Sequence, residues 1–408
     1  MGKMNIGKVI RGLRRALLLG LCLALAAGTA LAAEVVSIGT EGFDSMAYQC
    51  RMPDGRVLFS GCRGKLHNYA NQKARLLCLN PDMTAAWEYT APDGGGCFFS
   101  HAGVTADGNI VTIFENSPYQ SLEAIELRFY TAEGKPTGRK ITLDPDYNGI
   151  YRLLPSGLVK HSWYRVHGKL TAEYEFIDWD GNRRFQVAGG ELVLAESIIE
   201  EEDGLVLLGR EAESGGCPAA KIMKIDWKGK ETWENTLPFM MDLNEGASLQ
   251  YGMKTSDGGY AALLMESGSS HANGKEALVK FSPSGRVLWM NTESFEERMR
   301  KNVFDYLAEY RGGYVIGFTD GESWGSLAAP LDYLWIDAEG KEIGTTELRL
   351  EKKELPRLSK GKSVALLHYD LVATESGVWQ ELSGYDERNS LEDEQDSQED
   401  MLVRVPEP

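Results

Sequence analysis

The sequence is short of basic residues and of long apolar runs. It has 43 Lys and Arg residues against 60 Asp and Glu residues, which gives a formal net charge of −17. Because a protein that binds nucleic acid neutralises phosphates with a basic surface, this composition argues against nucleic acid as a partner. No apolar run after the N-terminal region approaches the roughly 20 residues of a membrane-spanning helix. We therefore expect no transmembrane span in the mature chain.

Common catalytic motifs are also missing. The chain has six cysteines, and no two of them are adjacent. It contains no phosphate-binding loop, no HExxH zinc motif and no set of kinase motifs, so these chemistries lack their usual signatures here. These absences favour a protein that is not an enzyme, without deciding the question.

The segment 1–32 has the pattern of a bacterial-type secretory signal peptide. Five basic residues precede an apolar segment at 16–27, and Ala30-Leu31-Ala32 is a small-residue cleavage site, which is the order of regions in such a signal. The apolar segment is shorter than the roughly 20 residues that a retained membrane anchor needs. We predict cleavage before Ala33 and a secreted or extracytoplasmic mature chain. Loss of the five basic residues changes the formal net charge to −22.

Five cysteines remain in the mature chain, and their spacing leaves their oxidation state open. Four of them, Cys50, Cys62, Cys78 and Cys97, lie close together in the sequence. In an oxidising compartment these four could form two disulfides in any of three connectivities, with Cys217 left over. Reduced thiols are the alternative if the protein is secreted into an anaerobic setting.

A turn glycine followed by a β-rich run recurs along the chain at a nearly constant interval of about 50 residues, the kind of period that marks a repeat architecture. Clear copies read MPDGRVLFSG, TADGNIVTIF and TSDGGYAALL. Glycine after a polar residue marks a tight turn, and the β-branched, Leu and aromatic residues that follow favour a strand. The repeated glycines are Gly55, Gly108, Gly157, Gly204, Gly258, Gly312 and Gly361.

A second glycine follows the first at a nearly fixed offset, close to half of the repeat interval, in five copies. Asp, Ser or Thr stands three positions before it, where a short oxygen-bearing side chain can bond the backbone two positions on and glycine accepts the positive φ that ends the turn. In the first copy Met83 occupies the glycine position. Each unit therefore predicts strand, tight turn, strand, longer loop, strand, tight turn, strand. The second glycines are Gly134, Gly181, Gly229, Gly285 and Gly340.

Units of this kind predict an all-β β-propeller. Four short strands cannot bury their apolar faces alone, so radial stacking of the units is the expected solution. Seven four-stranded blades fit the length of the chain best, with six or eight as alternatives. We assign residues 33–385 to one propeller domain and residues 386–408 to an acidic tail. The ring could be closed by a strand at 401–405 in that tail or by a strand at 34–38.

Two stretches depart from the regular repeat. Gly361 and Gly377 are much closer together than the two glycines of the other units, so the last unit is predicted to lack its long middle loop. Ser294–Tyr310 is the one stretch of helical composition, and we expect little helix elsewhere.

An aromatic residue follows the second glycine at the fourth position in three units, twice as Trp and once as Phe. This spacing resembles the repeat of the PQQ-like (quinoprotein-type) β-propellers over about residues 40–385. That family includes quinone-dependent dehydrogenases and cofactor-free scaffolds, and the resemblance implies that the Trp docks between neighbouring blades. The quinone enzymes typically place an adjacent cysteine pair beside the cofactor, and because this chain lacks one we expect no bound quinone. The structural residues implied are Trp87, Trp233, Trp289, Gly229 and Gly285.

One segment has part of the spacing of a calcium loop. Asp144, Asp146 and Asn148 alternate before Gly149, as oxygen ligands do when they wrap Ca²⁺. A full loop needs Glu at the sixth position after the glycine, where Pro155 stands. An ordinary turn between blades is therefore favoured, and calcium is kept as the alternative.

The longer loops are predicted to share one face of the propeller. If strands are labelled A to D from the centre, the A–B and C–D turns lie on one face, the glycine-turn face, and the B–C loops and D–A crossovers lie on the other, the loop face. Polar groups among aromatic side chains on a rigid scaffold are typical of binding loops. The segments assigned to the loop face are 63–72, 115–121, 211–218, 266–275 and 320–330. The ligand-binding candidates in them are His67, Tyr69, Tyr119, Gln120, His271, Asn273 and Trp324.

Two functions remain open. The first is a secreted, monomeric, non-enzymatic propeller that binds an extracellular protein, glycan or cell-envelope partner through its loop face. The alternative is a hydrolase or lyase that acts on polysaccharide or glycoconjugate. Such an enzyme would bring two carboxylates from different blades within about 5 to 10 Å near the central channel, at least one with a raised pKa, whereas a binding protein would show an aromatic patch.

Overall fold

The apolar runs that flank the repeated glycines form β-strands in the computed structural model. These strands make seven four-stranded antiparallel sheets arranged in a ring, so the predicted seven-bladed β-propeller is confirmed. Residues Val35–Pro408 form one compact unit. The structure describes residues 34–39, 43–65, 68–92, 96–116, 125–143, 149–167, 169–189, 191–212, 218–237, 246–266, 275–296, 302–320, 331–350, 364–386 and 398–408.

The strands follow the same order in each of the first six blades, from the centre outwards. The innermost strands are β2 (Phe43–Arg51), β6 (Cys97–Val104), β10 (Ile150–Leu154), β14 (Val193–Glu201), β18 (Ala247–Lys254), β22 (Asn302–Tyr310) and, in the seventh blade, β26 (Val364–Thr374). The second strands are β3 (Val57–Lys65), β7 (Ile110–Asn116), β11 (Gly157–Val166), β15 (Gly204–Glu211), β19 (Tyr260–Glu266), β23 (Gly313–Asp320) and β27 (Gly377–Asp386).

The outer half of each blade holds the third and fourth strands. The third strands are β4 (Asn68–Leu79), β8 (Ile125–Tyr130), β12 (Lys169–Asp178), β16 (Ala220–Asp226), β20 (Lys275–Phe281), β24 (Leu331–Ile336) and β28 (Gln398–Arg404). The outermost strands are β5 (Ala85–Thr90), β9 (Pro136–Leu143), β13 (Arg183–Gly189), β17 (Glu231–Thr236), β21 (Val287–Asn291), β25 (Glu342–Leu348) and β1 (Val35–Ser37).

The seventh blade joins the two ends of the propeller. Its strand order is β26, β27, β28, β1, and Val36 pairs with Leu402 in the antiparallel β1–β28 register. Both segments named as closing candidates are therefore used together. The third strand of this blade comes from the region assigned to the acidic tail, and Asp400 within it is buried.

Two predictions about the last blades are wrong. Gly377 is the turn glycine between the first two strands of the seventh blade, not the second turn of a shortened unit. The stretch Ser294–Tyr310 is not a continuous helix, because α1 covers only Glu293–Glu296 and Asn302–Tyr310 forms β22. Pairing of β22 with β23 overrides the helical composition of the segment. Among the described residues, no helix is long and apolar enough to cross a membrane.

The C–D turns have the geometry that their sequence predicts. In the fourth blade, Oδ1 of Asp226 accepts the N–H of Lys228 at 2.8 Å and the N–H of Lys230 at 2.9 Å. Gly229 ends this turn with a φ of +76°. In the first blade Met83 takes the glycine position with a φ of +63°, and its side chain is buried.

Apolar side chains of adjacent blades form the core. Between the third and fourth blades, for example, Val159 and Tyr174 belong to the same buried cluster as Leu205 and Leu207. Similar clusters lie between the first and second, second and third, fourth and fifth, fifth and sixth, and seventh and first blades. Each blade therefore depends on its neighbours for burial.

Tryptophans of the outermost strands lie against the C–D turns of the next blade. The Nε1 of Trp289 donates to the carbonyl oxygen of Ala338 at 3.1 Å, and a Cβ added to Gly340 would lie 2.6 Å from the Trp289 ring. Glycine is needed here both for its positive φ and for this close approach. The stacked pairs are Trp87 on Gly134, Trp233 on Gly285 and Trp289 on Gly340, while Gly229 lies against Phe185 and Val187.

The four described cysteines are thiols and form no disulfide. The Sγ of Cys78 lies 3.6 Å from the Sδ of Met52 in the core between the first two blades. Burial raises the pKa of Cys50 to about 12 and that of Cys78 to about 11. The disulfide alternative is therefore wrong for these four residues, and Cys217 lies outside the described residues.

Candidate functional site

The segments assigned to the loop face mostly fall where expected. Four of the five lie on connections between second and third strands, in the second, fourth, fifth and sixth blades. The exception is 63–72, where β3 and β4 continue through the segment and only residues 66 and 67 separate them. Tyr69 is therefore part of a strand, although its side chain lies outside the described residues.

The remaining predicted site residues cannot be placed beside one another. His67, Tyr119, Gln120, His271, Asn273 and Trp324 lie outside the described residues, as do the calcium candidates Asp144, Asp146 and Asn148 in the connection between β9 and β10. Within the described part of the chain, no group of His, Cys, Asp and Glu side chains could hold a metal ion.

The innermost strands of the seven blades line a central channel. Six neighbouring pairs of these strands contact one another around the ring, and a ring contact between Tyr251 and Tyr306 joins β18 to β22. Six of the seven innermost strands contain a β-bulge within their pairing to the second strand. A bulge leaves residues unpaired and redirects their side chains. The bulged residues are Gln49, Ser100, Glu196, Tyr251, Gly252, Asp305, Tyr369 and Asp370.

Tyr251 at one of these bulges has a strained backbone. Its φ is +51°, a conformation that is costly for a bulky residue and that clusters at functional positions. The side chain is 37 % exposed, and its ring centroid lies 6.0 Å from that of Tyr306. The strain therefore holds an accessible aromatic ring at the channel wall.

Carboxylates of the seventh blade fasten it to the first. The buried Glu381 accepts the N–H of Tyr48 at 3.0 Å, and the buried Asp400 accepts the N–H of Met46 at 2.9 Å. Burial raises the pKa of Glu381 well above its usual range. Asp370 stands at the bulge of the innermost strand β26, and burial raises its pKa to about 6. Both carboxyl groups with a raised pKa, Asp370 and Glu381, belong to the seventh blade.

The channel wall at the third and fourth blades carries a positive charge. Arg152 on β10 is half-buried, and burial lowers its pKa, which the nearby Glu196 on β14 partly offsets. Burial, together with the Arg152 charge, lowers the pKa of His101 and of His161 to about 4. At neutral pH the guanidinium is therefore charged and both imidazoles are uncharged.

The hairpin of β11 and β12 projects beyond the strands beside it. The pairing of β10 with β11 stops at Ile150 and His161, and the pairing of β12 with β13 stops at Ala172 and Gly189. Residues 162–171, which we call the hairpin tip, extend past both neighbours towards the loop face. Only residues 167 and 168 connect the two strands.

The hairpin tip exposes bulky apolar side chains on both of its faces. Trp163 is 48 %, Tyr164 41 % and Val166 42 % exposed. Successive strand residues point to opposite faces, so each face of the tip carries an exposed apolar side chain. Arg165 also stands on the tip and is exposed.

The glycine-turn face carries a cleft of about 420 Å³ between the second and third blades. Turn residues and residues of β8 and β9 line this cleft. The Nε1 of Trp179 donates to the carbonyl oxygen of Pro155 at 2.8 Å, and the Arg139 guanidinium lies 4.5 Å from the centre of the Phe129 ring. The Arg139 guanidinium also donates to the carbonyl oxygen of Trp179, and this hydrogen bond joins the second blade to the third.

Comparison with known proteins gives similarity of shape only. No family model matches the chain, and no curated protein matches it. Among solved structures, the β-propeller domain of the Trilobed protease from Pyrococcus furiosus aligns with a TM-score of 0.45 at 12% identity, over 87% of this chain and 100% of that one. A puromycin hydrolase S511A mutant aligns with a TM-score of 0.46 at 12% identity, over 85% and 52%. The Trypanosoma rangeli sialidase aligns with a TM-score of 0.40 at 10% identity, over 92% and 59%.

Proposed function

We propose that this chain is a secreted, non-enzymatic β-propeller that binds an extracellular protein, glycan or cell-envelope partner through its loop face. The observation that carries the proposal is the hairpin tip with its exposed Trp163, Tyr164 and Val166. Trp, Tyr and Arg are the residues most enriched at the energetic centres of binding surfaces. A rigid sheet that presents them beyond the body of its blade is suited to recognition rather than to packing.

Exposure of these side chains has a cost that a partner would remove. Burying a large apolar side chain is worth about 1.5 to 3 kcal/mol, so two aromatic rings on the tip could supply a substantial part of a binding free energy. The ring of His161, at the base of the tip, lies 6.0 Å from the Trp163 ring, centroid to centroid.

The proposal is tested by applying the mature chain, residues 33–408, to a glycan array and to cell-envelope fractions. Every component that binds is then measured again with the double variant Trp163→Ala/Tyr164→Ala. We expect the double variant to lose at least about tenfold in affinity, which corresponds to about 1.4 kcal/mol.

The matched control is the double variant Leu288→Ala/Ile343→Ala. These side chains are 56 % and 58 % exposed and lie on the outermost strands of the fifth and sixth blades, so they have similar exposure and a different location. The control should bind as the wild type does. Equal losses in the two double variants, or full binding by both, would contradict the proposal.

The hydrolase or lyase alternative is favoured by one observation, the raised pKa of Asp370 in the channel. Its neighbour of raised pKa, Glu381, comes from the same blade and is occupied by backbone N–H groups, which suits fastening better than proton transfer.

The segment GESWG at 321–325 also matches the G-x-S-x-G pattern of hydrolases. It connects the antiparallel β23 and β24, not a strand and a helix, and lies outside the described residues. Release of sugars or peptides by the wild type, lost in Asp370→Asn or Ser323→Ala, would establish the alternative.

A further inference from the structure

The guanidinium of Arg152 lies at the channel edge of the third blade. The Nη1 of Arg152 donates to the carbonyl oxygen of Tyr151 at 3.4 Å. Leu154 and Gly157 form the pair that closes the β10–β11 hairpin. Hydrogen-bonded and non-hydrogen-bonded pairs alternate along an antiparallel ladder, so Tyr151, three residues before Leu154, is in a non-hydrogen-bonded pair and its carbonyl points away from β11. Since β10 is the innermost strand, that direction is the channel.

Few groups of the protein balance the positive charge of the Arg152 guanidinium or accept its hydrogen bonds. Glu196, at the bulge of β14, is the acid that acts on it electrostatically. Within the described part of the chain, however, Arg152 forms no ion pair, and the long contact to Tyr151 uses one of its five N–H groups. Taking a cation partly out of water without a close counter-ion is unfavourable, so an anion would be stabilised beside it.

Buried polar atoms without partners lie near the same strand. Neither Nδ1 of His101 nor Nε2 of His161 has a hydrogen-bond partner among the described residues. His161 is 4 % exposed and stacks on Tyr174 with ring centroids 5.9 Å apart and planes 11° from parallel. Such unsatisfied buried groups are rare in native proteins and point to a missing ligand or water.

The position of these groups is fixed by packing. A Cβ added to Gly103 on β6 would lie 2.9 Å from Cβ of Leu153 on β10, so the strand that carries His101 presses against the strand that carries Arg152. On the other side, the Tyr174 hydroxyl accepts the N–H of Ala195 at 3.0 Å, next to Glu196. The wall is therefore rigid on both sides of β10.

We propose that the guanidinium of Arg152 binds a carboxylate group of a small ligand in the channel. The planar fork of a guanidinium matches a carboxylate in two parallel hydrogen bonds. Glu196 opposes a second negative charge at this point, which favours a monoanionic carboxylate over a phosphate dianion. The carboxylate could belong to an acidic sugar or to a peptide terminus. This site does not depend on binding at the hairpin tip.

The test titrates the mature chain with glucuronate and with N-acetylglycinate, which represent the two sources. Glucose and N-acetylglycinamide are their uncharged counterparts, and inorganic phosphate tests the charge argument. The readout is the NMR signal of the Arg152 Nε–Hε group, assigned by its absence in Arg152→Gln. We expect saturable shifts with at least one carboxylate, at a Kd of about 1 mM or tighter, and none with the uncharged counterparts.

Three variants make the result decisive. Arg152→Gln should weaken carboxylate binding at least about tenfold, since a charge-assisted hydrogen bond is lost. Arg286→Gln, at an exposed arginine on a C–D turn, should leave it unchanged. Glu196→Gln should tighten binding about two- to fivefold, an effect that misfolding cannot imitate. The proposal is overturned if neither carboxylate binds, if phosphate binds more tightly than both, or if Glu196→Gln weakens binding.

Discussion

The substitution Gly285→Ala tests whether the tryptophans dock one blade on the next. Gly285 ends the C–D turn of the fifth blade with a φ of +75°, and the ring of Trp233 from the fourth blade lies directly over it. A Cβ at this position would overlap that ring. Gly258, in the A–B turn of the same blade, has a nearly identical φ of +84° but nothing within 4 Å of the added atom.

The two glycines allow the backbone cost to be separated from the packing cost. A left-handed conformation costs an L-residue about 1 to 2 kcal/mol, and this applies to both positions. Overpacking adds about 1 to 3 kcal/mol where an atom is forced into a filled site. We therefore expect Gly258→Ala to destabilise the protein by about 1 to 2 kcal/mol and Gly285→Ala by about 2 to 5 kcal/mol.

The assay is equilibrium urea denaturation followed by far-UV circular dichroism, because removal of a tryptophan would change the fluorescence. Adding Trp233→Ala completes a double-mutant cycle. In that background the cost of Gly285→Ala should fall to the cost of Gly258→Ala. Equal costs of the two glycine substitutions in the wild type, or purely additive effects in the cycle, would refute the docking role.

Three further predictions concern titration, thiols and ring closure. Burial raises the pKa of Asp370 to about 6, so protonation of this carboxyl favours the folded state below about pH 4, and the contribution is lost as the pH rises from about 4 to 6. The melting temperature of Asp370→Asn, relative to that of the wild type, should therefore increase over this pH range. The control Asp82→Asn, at an exposed carboxyl, should show no such increase. In folded residues 33–408 at most two of the five thiols should react with an aromatic disulfide reagent, since Cys62, Cys78 and Cys97 are buried. Rapid reaction of three or more would contradict this. Truncation after residue 397 removes β28, whose residues 401–403 are fully buried. Each large buried side chain is worth about 1.5 to 3 kcal/mol, so the lost free energy of unfolding approaches the whole stability of a typical domain. A truncated chain with the melting temperature of the wild type would show that ring closure is dispensable.

The blade architecture was predictable because its signals are local. A turn glycine, an oxygen-bearing side chain before it and a run of β-forming residues recur within each unit, and Met83 keeps the positive φ even where glycine is absent. The last blade was not predictable in the same way. Its strands come from both ends of the chain, and the pairing of Val36 with Leu402 leaves no mark in either segment alone.

The candidate site was harder to predict than the fold. The inner bulges depend on register with the second strand, which composition does not encode, so the strained Tyr251 has no sequence signature. The hairpin tip did have a signal. Trp163, Tyr164 and Val166 put bulky apolar residues on both faces of a strand next to a short turn. A strand with one face in solvent would instead alternate apolar and polar residues.

The most direct test of the loop-face account is hydrogen–deuterium exchange of the mature chain, with and without a partner found by array or envelope binding. We predict slower exchange over residues 162–171 of the hairpin tip and no change in the C–D turn at residues 226–229. Slower exchange confined to the glycine-turn face, with the hairpin tip unaffected, would contradict the account.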